Sequence, residues 1–201
     1  MLITKSKYMY GQRCFKLLWL FDKGLLPENT LLDEYRFEQG HNFEEYVKRL
    51  FPTGIDLKDR EFCDNLFETE KLFGEEKTIF EAGIKIEYLY IRADVLEPKE
   101  DSWNLYEIKA SNKVSYKEKP EYYNDLAFQK FVCVKYGLKI NRCFIIHLNG
   151  EYVKYGEIKP RSNFIPSTTS NSSYNVLPSC TVITPSLPTF SIASAMMFPM
   201  V

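Results

Sequence analysis

Nothing in the 201 residues approaches the run of about 20 apolar residues needed to span a bilayer. The opening stretch, Met1 to Cys14, lacks the apolar centre of an export signal, so the expected compartment is the cytoplasm. The five cysteines, an odd number, then read as reduced thiols and not as a disulfide framework. Charge of either sign is not in excess: 26 Lys+Arg stand against 27 Asp+Glu. That balance excludes a histone-like polycation, and any nucleic-acid contact must come from a local patch. No internal repeat is present, which excludes a solenoid.

The last 41 residues lack acidic side chains and glycine altogether, and Arg161 is their one charge. They hold five of the ten prolines and a Ser/Thr-dense run from Phe164 to Ser179. Scattered prolines interrupt helices and central strands, and no apolar period survives. Residues 159–201 are therefore expected to form a Ser/Thr/Pro-rich tail of low order, and residues 1–158 the folded domain. The abrupt change of composition suggests a truncated or frameshifted coding sequence, or an unrelated extension.

Within the domain, Ser6 is placed to cap one helix running through Lys23, with Gly24 closing it. A second helix is expected over Leu31–Leu50, ending at Phe51-Pro52-Thr53-Gly54, and a weaker third over Asp59–Phe73. The period then changes. Thr78–Ile86, Glu87–Leu96 and Trp103–Ala110 are rich in β-branched and aromatic residues, and the turn Glu97–Ser102 makes the last two an antiparallel pair. A long helix runs from Pro120 to Gly137. A strand at Arg142–Leu148 follows, with Asn149-Gly150 turning it into a return strand, Glu151–Tyr155. This order predicts an α/β domain with helices covering a small mixed sheet.

Chemistry concentrates in two of these strands. Strand alternation puts Glu107 and Lys109 on one face with Ile108 on the other, and puts Asp94 on a face with Arg92 and Leu96. Paired across the turn, Asp94 and Glu107 converge with Lys109 beside them. Two carboxylates and a backbone carbonyl form a hard oxygen site suited to Mg²⁺ or Mn²⁺. Such an ion acidifies a bound water and offsets charge on a phosphoryl group. Alternating Glu and Lys more often mark only the solvated face of a half-buried sheet, so spacing alone does not decide.

Asp94, followed after a hairpin by Glu107-Ile108-Lys109, resembles the PD-(D/E)XK nuclease core, with Ala93 where proline is usual. Ser6-Lys7-Tyr8, Gly11-Gln12-Arg13-Cys14 and Leu18-Trp19-Leu20 resemble the opening helix of its RecB-like branch. That branch includes the CRISPR-associated adaptation exonucleases and a related bacterial family of uncharacterised function. Phe37-Glu38-Gln39-Gly40, Ile79-Phe80-Glu81-Ala82, Asp125 to Gln129 and His147-Leu148-Asn149 resemble further landmarks, in family order across residues 5–158. The resemblance implies a restriction-endonuclease-like mixed sheet flanked by helices. It also implies a metal-dependent nuclease acting on nucleic acid, with DNA the expected substrate.

By the same resemblance, Asp94 and Glu107 are metal carboxylates, Ile108 supplies a carbonyl ligand, Lys109 is the catalytic lysine and Gln129 contacts the site. Many relatives carry a metal-reaching histidine four residues after the helix-two glycine. Here that position is Glu44, which either approaches the metal or faces solvent, the favoured reading, and His41 belongs to the surface. Cys133 stands where a strand-stacking tyrosine is common, and Tyr136 offers a similar face. Cys14 matches an early iron–sulfur position, but only Cys180 follows the domain, so no cluster is expected. Cys63, Cys133 and Cys143 read as buried small hydrophobes, as does Cys14. Arg92, Lys113, Lys117 and Lys119 are candidate phosphate contacts. Relatives often continue into further domains, whereas here the resemblance stops near Gly156-Glu157-Ile158. The alternative function is a binding module that keeps the fold without cutting, or a fragment of a larger nuclease.

Overall fold

The computed structural model describes residues 2–112 and 114–148, with two further strands, Ser173–Leu177 and Cys180–Ile183. The chain is α/β. Its elements run β1 (Ile3–Thr4), α1 (Lys5–Arg13), α2 (Phe15–Asp22), α3 (Leu31–Lys48), β2 (Ile55–Asp56), α4 (Phe62–Leu72) and β3 (Ile79–Ile86). They continue with β4 (Leu89–Lys99), β5 (Ser102–Lys109), α5 (Pro120–Tyr136), β6 (Ile140–Leu148), β7 (Ser173–Leu177) and β8 (Cys180–Ile183). One curled mixed sheet carries them in the order β2-β3-β4-β5-β6-β8-β7, with β1 parallel to β4. The β3–β4 and β4–β5 pairs are antiparallel, whereas β5 and β6 are parallel and joined through α5.

The expected opening helix is two helices. Thr4, not Ser6, caps α1 through a bond from the Lys7 N–H, and Cys14 at φ −169° breaks the run. The break lets α2 fold back, packing the Tyr10 ring at a tilt against Phe21 with centres 4.6 Å apart and pairing Lys7 with Asp22 at 2.6 Å. Helix α3 begins where the sequence places it because Thr30 and Asp33 form a reciprocal capping box. Helix α5 ends on Gly137 at φ +110°, the left-handed conformation that glycine adopts without a Cβ penalty.

Two apolar layers cover the sheet. On one, Tyr123, Leu126, Phe128, Val132 and Cys133 of α5 pack with Ile84, Ile91, Leu96, Leu105 and Ile145. On the other, Phe43 and Val47 of α3 pack with Phe80, Val95, Tyr106, Ile108 and Ile146. Among the thiols, Cys133 and Cys143 are buried as expected, but Cys14 and Cys63 are exposed. Cys14 sits at the helix break and not on a packed face, which corrects its apolar reading.

The hairpin between β4 and β5 is tighter than the six-residue turn expected, since Lys99 pairs with Ser102. Glu100 takes φ +54° there, and Glu87 takes φ +52° in the β3–β4 turn. The expected tail without regular structure differs at Ser173–Leu177 and Cys180–Ile183, where β8 pairs with both β6 and β7. The expected return strand at 151–155 lies outside the described residues, as does the turn at 149–150.

Candidate active site

Simple alternation through residues 92–96 does not hold. Ala82 and Ala93 pair in the α5 layer, Phe80 and Val95 pair in the α3 layer, and Ile79 and Leu96 pair in the α5 layer again. The phase slips at Glu81, which has φ +56° and falls, like Asp94, between the Phe80–Val95 and Ala82–Ala93 pairs. On the other side of β4, ladder pairing with β5 stops at Val95–Tyr106. The next N–H, that of Ile108, donates to Asp94 Oδ2 at 2.7 Å instead of to the neighbouring backbone. Two strands thus part at the point where their acids meet.

Glu107 is fully buried at that opening, and Gln129 beside it on α5 is fully buried too. Gln129 Nε2 donates to Glu107 Oε2 at 2.5 Å and to Asp125 Oδ1 at 3.1 Å. Lys109 Nζ donates to Glu107 Oε1 and, at 3.0 Å, to Asp125 Oδ2, and stands 5.5 Å from the Tyr122 ring centre. Lys5, the first residue of α1, reaches the same acids. Its Nζ lies 2.8 and 2.9 Å from the Glu107 oxygens, 3.4 Å from Asp94 Oδ1 and 3.6 Å from Asp125 Oδ2. Asp94, Glu107, Lys109 and Gln129 are therefore brought together, with Lys5, which the sequence reading does not single out, and Asp125, which it places only on the helix face of Gln129.

The acids are shifted in opposite directions. Burial, then the neighbouring Glu107 charge, pushes the Asp94 carboxyl up to about 8. Burial also acts against Glu107, but the Lys109 and Lys5 ammoniums outweigh it and hold that carboxyl well below the usual range. Asp125 is raised by burial and by Glu107. Both lysines are raised: burial disfavours their charge, but the surrounding carboxylates more than compensate. Three carboxyl groups against two ammoniums make a compact, nearly balanced cluster at the bottom of an open strand pair.

The remaining expected residues fall elsewhere. Glu44 meets His41 Nδ1 at 3.4 Å on α3, outside the cluster. Arg92 lies beside the site, where its Nη2 donates to Leu57 O at 2.7 Å and Lys58 O at 3.0 Å and its Nε stands 3.5 Å from Glu81. Lys119 lies 5.7 Å from the Tyr122 ring centre and 3.8 Å from Glu121, and Lys113 is outside the described residues. Tyr136 packs on Phe73, and Cys133 is in the core, so neither joins the cluster.

Comparison with protein-family models, curated proteins and solved structures gives no match. The chemistry must be read from the donors themselves. The acids are organised around ammonium groups, and among the described residues no three acidic, histidine or cysteine side chains form a ligand set on their own. A cation nevertheless sits at their focus, because the Lys5 ammonium takes oxygens from three acids on β4, β5 and α5. Hard carboxylate oxygens converging on one positive charge fit Mg²⁺ or Mn²⁺ by donor type. Asp94 and Glu107 are the pair with which such an ion would be held.

Proposed function

We propose that this chain is a divalent-metal-dependent nuclease of restriction-endonuclease-like fold that hydrolyses phosphodiester bonds, with DNA as substrate. The observation that carries this reading is the meeting of Asp94 and Glu107, from two strands that part at that point, with Lys109 beside them. When bound by these acids, with the Ile108 carbonyl as a further donor, a divalent ion supplies an acidified water and offsets charge on the phosphoryl oxygens. Lys109 contributes an ammonium aimed at the same place, able to orient a water or counter the negative charge that builds on the phosphoryl group. Asp125 and the Tyr122 ring fix where that ammonium stands. Gln129 fixes the Glu107 carboxylate from the buried side, so its oxygens keep one orientation.

Cleavage of single- and double-stranded DNA with Mg²⁺ or Mn²⁺ tests the reading. Asp94→Ala and Lys109→Ala should each lower the rate by about 100-fold or more, the usual scale for removing a positioned catalytic charge. Cutting that persists without a divalent ion, or survives both substitutions, would overturn it. Binding without any cutting would make the chain a nucleic-acid-binding module.

A further inference from the structure

Lys5 occupies the position where the proposed metal would bind, and the inference that follows rests on that reading. Its ammonium touches both oxygens of the buried Glu107 and lies within ion-pair distance of Asp94 and Asp125. No residue close in sequence explains this: Lys5 is 89 positions from Asp94 and 102 from Glu107. The backbone that carries it is fixed. Ile3 and Thr4 pair with Leu89 and Tyr90 of β4, Thr4 caps α1, and Tyr8 stacks on Phe128 of α5 at 4.4 Å. The side chain borders open space. A cleft of about 260 Å³ opens beside it, lined by Lys5, Ser6, Glu81, Tyr90, Arg92 and Asp94. Glu81 stands on that wall, its Oε2 3.5 Å from Arg92 Nε, so a lysine turned into the cleft would meet a second carboxyl group there.

We propose that Lys5 is an internal counter-ion that holds the resting carboxylate cluster together, and that a divalent cation loads by displacing its ammonium into the adjoining cleft. Without an ion the acids need that charge, since buried carboxylates lacking a partner are costly. With an ion in place, the ammonium and the metal repel, and the cleft gives the lysine somewhere to go. Loading is then an exchange of one cation for another.

Mn²⁺ titration calorimetry on wild type, Lys5→Met and Lys5→Arg tests the exchange. Lys5→Met should bind Mn²⁺ about tenfold tighter, since no ammonium has to leave, while Lys5→Arg stays near wild type. A second measurement uses the unmodified protein: amine acylation read by mass spectrometry. Lys5 should label faster when Mn²⁺ is added, and this arm holds even if the methionine variant folds poorly. Equal or weaker affinity in a folded Lys5→Met, or Lys5 labelling that does not rise on Mn²⁺ uptake, overturns the exchange alone. Uptake of Mn²⁺ by none of the proteins removes the metal reading itself.

Discussion

Asp94 and Glu107 are adjacent carboxyl groups with opposite tendencies, and the difference lies in their partners. Glu107 has two ammoniums and an amide on its oxygens, whereas Asp94 has one backbone N–H and a single ammonium at 3.4 Å. The Asp94 value rises from 3.8 to about 8 on folding, so the folded state holds its proton across the interval that the unfolded chain does not. Its contribution to stability is therefore full below the unfolded value and is lost as pH rises through about 8. Asp94→Asn cannot ionise. It should be more stable than wild type by about 1–3 kcal/mol near pH 9, with the advantage shrinking toward pH 5. Thermal unfolding of both proteins across that range checks this, and an advantage that is constant or largest at the acid end contradicts it. Asp94, Glu107 and Lys109 stood out as candidates from the Glu-x-Lys alternation and the preceding hairpin, but only the resemblance singled them out from a solvated sheet face. Asp125 was half legible, since its four-residue spacing from Gln129 puts both on one helix face. Lys5 carried no local signal, because its partners are distant in sequence.

At the scale of elements, β3 shows how closely backbone and helix approach. A Cβ on Gly83 would lie 1.8 Å from Asn65 Oδ1 and 3.5 Å from Leu66 Cδ2 on α4. Asn65 is not free to move, because its amide donates to Leu57 O at 3.2 Å and Glu81 O at 2.9 Å. The Gly83 N–H in turn donates to the buried Thr69 hydroxyl at 3.0 Å. Gly83→Ala should therefore cost about 2–3 kcal/mol through overpacking and a strained amide, read as a lower midpoint in urea unfolding. Unchanged stability would mean that α4 can retreat from the sheet. This contact also bears on the site, since the Asn65 amide holds the carbonyl of Glu81, where the alternation slips. Tight hairpins escaped the sequence reading for a related reason. Both turn positions with positive φ are glutamates, Glu87 and Glu100, and not the Asn or Gly that advertises such turns.

In the molecule as a whole, burial is uneven. The central strands β4 and β5 lie between the α5 and α3 layers, whereas α1 and α2 bury no residue. Local opening should follow that gradient. Amides of α2 should exchange with solvent well before those of β4 and β5, measured by native-state hydrogen exchange. Slow exchange throughout α2 would contradict the gradient. Among the described residues no helix is long and apolar enough to cross a membrane, as the sequence had indicated.

Helices α3, α4 and α5 and strands β3 to β6 followed from the sequence, because apolar period, caps and breakers act within a few residues of one another. Pro120 and Gly137 bracket α5, and Thr30 with Asp33 starts α3, whatever the rest of the chain does. The break at Cys14, the slip at Glu81 and the seating of Lys5 among three acids belong to the tertiary structure alone. Each depends on how surfaces distant in the chain pack and pair. A side chain's electrostatic partner across 102 positions is fixed only once the strands and helices are in place.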